Sequence, residues 1–163
     1  LLMETLYALP ALLLALLFAA LMGPGAVSSM LAVGLSLVPA FFRVARAGAL
    51  SLRAAPFVEA ALALGASPAR VLLRHLLPNL LGPLLVQASL AFAAALLAEA
   101  ALSYLGLGTQ PPEPSLGRML REAQSFLPLS PWPALVPGLA LSLAVLGFNL
   151  LGDGLRDLLD PRR

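Results

Sequence analysis

Apolar residues fall in four long runs, and polar or helix-breaking residues separate them. Span A covers residues 5–22 and ends at Gly23-Pro24-Gly25, where glycine admits unusual backbone angles and proline cannot continue a helical ladder. Span B covers 26–42 and is interrupted by Pro39; span C covers 79–102; span D covers 133–151. Each run is close to the ~20 residues that a helix needs to cross a bilayer core. None alternates as a barrel strand does, and backbone groups in hydrocarbon must find partners within their own segment. Four membrane-crossing helices are therefore expected.

Composition sharpens this picture. Hydrophobic residues make up 60% of the 163 and charged residues 11%, against about 25% charge in soluble domains. A soluble globule would lack the polar surface to cover itself. Four spans leave little room for a separate catalytic domain. Cysteine is absent, which excludes disulfides and thiolate metal sites, and a single histidine, His75, cannot build a typical zinc site. A net charge of +2 is too small to point to a nucleic-acid partner. The first run lacks the basic start and small-residue cleavage site of a signal peptide, so it reads as a true span.

Arginine placement sets the orientation. Arg43, Arg46, Arg53, Arg70 and Arg74 lie between spans B and C, against one acid, Glu59. The loop between C and D balances Arg118 and Arg121 with Glu113 and Glu122, and the tail carries Arg156, Arg162 and Arg163. The positive-inside rule puts the B–C segment and the C-terminus in the cytoplasm and the C–D loop outside.

Within the B–C segment, Phe57, Ala60, Ala61 and Leu64 recur at helical spacing. Pro56 suits the first turn, Glu59 suits the positive end of the helix dipole, and Gly65 can close the helix. Ser67 and Pro68 open a second helix that carries Arg70 and Arg74 towards the membrane at Leu77-Pro78. Two readings fit the first helix. It rests on lipid headgroups, or its small alanine face lets another protein approach closely.

Glu59-Ala60-Ala61, three residues, Gly65, then nine residues and Leu77-Pro78 resemble the cytoplasmic loop motif of binding-protein-dependent ABC importer permeases. Arg74-His75-Leu76-Leu77-Pro78-Asn79 looks like the dipeptide, oligopeptide and nickel branch. So do Leu102-Ser103-Tyr104-Leu105-Gly106-Leu107-Gly108, Gln110-Pro111-Pro112, Pro137-Gly138, and the stretch from Phe148-Asn149 to Asp160-Pro161. The resemblance implies an all-α polytopic bundle, a partial permease core that forms one transmembrane domain over 1–163. Family members usually carry two further N-terminal spans, which the chain as given does not include.

The resemblance further implies a non-catalytic subunit of a bacterial or archaeal inner-membrane importer for di- or oligopeptides. Helix 56–65 would be the coupling helix, with Glu59, Ala60, Ala61, Gly65, Leu77 and Pro78 as the ATPase-coupling residues. Implied partners are a second permease subunit, two cytoplasmic ATPase subunits and an extracytoplasmic solute-binding protein, all around the lipid bilayer. With no lysine the chain cannot form a P-loop, so ATP hydrolysis belongs on another chain, and no cofactor is expected.

Other residues invite other chemistry. Gly34-Leu35-Ser36-Leu37 fits the loose pattern of intramembrane serine hydrolases, which would need His75 beside Ser36. A stand-alone carrier or channel is a third class. Glu99 is an ionisable residue inside span C, so it marks a translocation path or gate, or simply reaches water at the outer end. Gln87 and Asn149 are weaker path candidates, as are Ser89 and Ser142. In the outer loop, Leu116, Met119, Leu120, Ala123 and Leu127 share a helix face, which suits lipid, while the resemblance implies a lid or a docking surface for the solute-binding protein. Asp153 is expected to cap a short tail helix.

Overall fold

A computed structural model describes residues 10–159. Among these residues every regular element is helical. The elements are α1 (Ala11–Met22), α2 (Ala26–Arg53), α3 (Pro56–Ala63), α4 (Pro68–Arg70), a π-helical turn (Val71–Leu76), α5 (Leu77–Tyr104), α6 (Leu116–Ala123), a short 3-10 helix (Gln124–Phe126) and α7 (Trp132–Leu159). From α4 to α5 the chain is one helical rod, Pro68–Tyr104, of 37 residues.

Among the described residues three helices are long and apolar enough to cross a membrane: α2, the rod, and α7. The described part of span A is Pro10 and the 12 residues of α1, the latter about 18 Å of helix, and residues 5–9 lie outside the described ones.

The helices outrun the apolar runs that announced them. Span B is not interrupted at Pro39, and α2 continues past residue 42 to Arg53. Proline removes one ladder hydrogen bond, and its neighbours hold the rest of the helix together. Arg43, Arg46 and Arg53 ride on the same helix, because leaving hydrocarbon changes which side chains are favoured without ending the backbone ladder. Likewise α7 runs unbroken to Leu159. Asp153 therefore sits exposed inside a long helix and caps no separate tail helix. Arg162 and Arg163 lie outside the described residues.

Helix α5 is the spine, packing against α2, α6 and α7. It runs antiparallel to α7. Gly82 faces Leu159, a Cβ on Gly152 would lie 3.2 Å from the Ser89 Cβ, and the Phe92 and Phe148 rings stack at 5.4 Å. Against α2, the Leu80 side chain fills the space that a Cβ on Gly48 would need. A small apolar core of Leu14, Ala15, Ala32, Val33 and Leu102 joins α1, α2 and α5.

This pairing gathers the end of α2, the start of the rod and the end of α7 at one pole, with Arg53, Arg70, Arg74 and Arg156. The α1–α2 turn, the end of α5 and α6 meet at the other, where the Gly25 N–H donates to the Leu107 carbonyl at 3.3 Å. Between the poles, leucines such as Leu139, Leu143 and Leu146 on α7 face outwards. Such a surface suits lipid or other membrane helices.

Candidate functional site

Helix α3 sits at the arginine-rich pole, between the end of α2 and the π-helical turn. Pro56 occupies its first turn and Glu59 is its first-turn acid. Its end is a Schellman motif: Gly65 adopts φ +81°, its N–H donates to the Leu62 carbonyl at 2.9 Å, and the Ala66 N–H donates to the Ala61 carbonyl at 3.0 Å. Gly65 thus closes the helix, as its place after the last apolar position led us to expect.

Sequence reasoning missed the residue that fastens this helix. Val58 is 1% exposed, whereas Phe57, Ala60, Leu64 and Gly65 are exposed and Ala61 is half-buried. The helix packs on the end of α2 and on the π-helical turn. The Phe57 ring also meets His75, with centroids 6.4 Å apart. So Val58 anchors α3 to its own chain, Phe57 touches it at one edge, and Ala60 and Leu64 are turned away from it. The helix is apolar at every position except Glu59, so periodicity alone could not say which apolar strip faces inwards. The Glu59 carboxylate makes no hydrogen bond or ion pair among the described residues. Leu77 and Pro78 are exposed and begin α5 directly after the π-helical turn.

The opposite pole is organised around Glu99. Its carboxylate accepts hydrogen bonds from Ser103 Oγ at 2.5 Å, Thr109 Oγ1 at 3.0 Å and Ser115 Oγ at 3.4 Å. Ser103 Oγ in turn accepts the Thr109 N–H at 2.9 Å. Helix α5 ends in a second Schellman motif at Gly106, φ +84°. The Gln110 side-chain amide donates to the Gly106 and Gly108 carbonyls at 3.1 and 2.9 Å. Helix α6 docks back on this assembly, with Gly117 pressed on the Ala100 backbone and Ala123 buried. Of the expected face, Ala123 is buried and Leu116 and Leu120 are half-buried, with Leu120 towards Gly138 of α7, while Met119 and Leu127 are exposed. Arg118 pairs with Glu122 at 3.0 Å and donates to the Glu113 carbonyl at 3.1 Å.

The three path candidates are not brought together. Gln87 and Glu99 are twelve residues apart on α5, about 18 Å along the axis. Gln87 lines a groove with Val44, Gly82, Pro83 and Arg156 near the arginine-rich pole. Asn149 lies half-buried on α7, one residue from the Phe92–Phe148 stack. The Ser89 and Ser142 hydroxyls return to carbonyls of their own helices, Leu85 and Gly138.

The hydrolase reading fails on geometry. Ser36 Oγ donates to the Val33 carbonyl at 2.7 Å, as helix serines commonly do. With Gly48 packed at the level of Leu80, Ser36 and His75 are on the order of 25 Å apart along the bundle, far beyond hydrogen-bond reach. Among the described residues no cluster of His, Asp or Glu is set to hold a metal ion.

Comparison with known proteins agrees with this architecture. The family described as the binding-protein-dependent transport system inner membrane component matches residues 1–163. A dipeptide transport system permease protein of Alkalihalophilus pseudofirmus is 44% identical over 159 residues, which is 98% of this chain and 52% of that protein. A di/tripeptide transport system permease protein of Pseudomonas aeruginosa is 43% identical over 161 residues, 99% of this chain and 53% of that protein. A glutathione transport system permease protein of Escherichia coli is 43% identical over 159 residues, 98% and 52% of the two chains. The chain spans about half the length of the curated relatives it matches. A match over its full length, on a bundle of membrane-length helices, shows that the chain belongs to the binding-protein-dependent transport system inner membrane component family.

Proposed function

We propose that this chain is the coupling half of a permease subunit in an ATP-driven importer of short peptides. The observation that carries the reading is the mounting of α3. Val58 fixes the helix to the bundle, the Gly65 closure ends it, and Ala60 and Leu64 are left for a partner. In this reading the arginine-rich pole and the C-terminus face the cytoplasm, and a nucleotide-hydrolysing subunit grips the exposed strip. Glu59, unpartnered among the described residues, supplies the charged contact at its edge. Leu77 and Pro78 carry the push into α5. A rigid helix on a packed spine passes on rigid-body motion, so the bundle rocks between two packed states. A second permease subunit and a solute-binding protein complete the assembly, and the peptide class follows from the relatives' names.

Leu64 is 89% exposed, so Leu64→Arg leaves the chain's own packing intact while blocking an apolar groove on a partner. In proteoliposomes that hold the whole transporter, we expect normal abundance of this variant and loss of ATP-driven peptide uptake. Uptake at the unsubstituted rate would refute the reading.

A further inference from the structure

The rod that joins α3 to the membrane is not a uniform α-helix. From Val71 to Leu76 it widens into a π-helical turn, and the Leu77 N–H reaches back five residues to the Leu72 carbonyl. Such turns are rare inside α-helices and need local support. Two neighbours supply it. Pro78 has no N–H, and its ring crowds the carbonyl four residues earlier in an α ladder, that of Arg74; a wider turn relieves this crowding. The Asn79 side-chain amide donates to the His75 carbonyl at 2.6 Å and so ties the turn to the start of α5. On the outer side of the same turn, His75 carries the Phe57 ring of α3. The turn therefore lies between the helix offered to a partner and the spine of the bundle. One extra residue in a turn also changes the rotation of everything before it by roughly 100° relative to a continuous α-helix.

We propose that this π-helical turn is the joint that passes movement of α3 to α5, with Asn79 and His75 as positioning residues. Asn79 holds the wide register, and His75 ties α3 to it through Phe57. The inference rests on the coupling role given to α3 above. Neither residue needs to touch a transported solute or a nucleotide.

The test uses the complete transporter. The chain has no native cysteine, so spin labels at Leu62→Cys, exposed and outside the strip offered to the partner, and at Leu97→Cys report the placement of α3 against the far half of α5. Asn79→Ala should shift or broaden the label-to-label distance by several ångströms and lower peptide transported per ATP hydrolysed by about fivefold. Phe57→Ala should lower the same ratio while leaving Asn79 and the turn in place. Crosslinking of Ala60→Cys to an ATPase subunit is followed in parallel. If that crosslink forms and Asn79→Ala leaves both distance and ratio unchanged, the joint is refuted and the coupling role of α3 stands. If the crosslink never forms in the otherwise unsubstituted chain, the coupling role fails and the inference falls with it.

Discussion

Gly65 and Gly106 close two helices with the same pair of backbone hydrogen bonds, at φ +81° and +84°. Their surroundings differ. A side chain added at Gly65 would project into open space, whereas one added at Gly106 would run into the Arg121 guanidinium. The difference extends across each pole. Around Gly106 the chain satisfies itself: three hydroxyls bond Glu99, Gln110 braces the turn, and α6 lies on Ala100. Around Gly65 the chain stops short, with one buried valine and a strip of exposed apolar side chains. The same local device thus builds a closed cap at one pole and an offered surface at the other. A glycine's conformation is a property of its own helix end, while its tolerance of a side chain is set by what packs there.

Substitutions at the two poles should separate accordingly. The largest effect belongs to Gly117→Ala, because its Cβ would overlap the rigid Ala100 backbone. We expect a loss of about 3 kcal/mol in the unfolding of the purified protein in detergent, with α6 displaced. Next comes Glu99→Ala, which strips three hydroxyls of a common acceptor. A loss of about 2 kcal/mol and faster proteolytic nicking in 106–115 are expected, with no change in thiol labelling of a Leu64→Cys background. Gly65→Ala is smaller still. It meets no neighbour, so only the left-handed backbone is strained, at about 1 kcal/mol. Its effect should show in the coupling of uptake to ATP hydrolysis more than in thermal stability. A ranking in which Gly65→Ala destabilises more than Gly117→Ala would erase the contrast between the poles.

Much of this layout was legible in the sequence, and the parts that were not share a cause. The apolar runs located the membrane helices, and Gly65 after an apolar stretch located the end of α3. Helix ends were misplaced at Arg53 and Leu159 because hydropathy records where hydrocarbon stops, and the hydrogen-bond ladder continues into water. Ser103 is one turn from Glu99, so that pair was within reach of helical spacing. Thr109 and Ser115 join it only because a loop folds back, which spacing does not encode. Val58 was hidden by a helix apolar on nearly every side, and the π-helical turn by the absence of any hydrophobic signature for one extra residue.

The central claim is that one strip of α3 is offered to a nucleotide-hydrolysing partner while the other is held by the chain itself. Single cysteines at Ala60 and Val58, treated with a short bifunctional reagent in native membranes, test it most directly. The account predicts a crosslink from Ala60→Cys to an ATPase subunit and none from Val58→Cys. Labelling of Ala60→Cys by a membrane-impermeant reagent applied outside intact cells, with no ATPase captured, would contradict it.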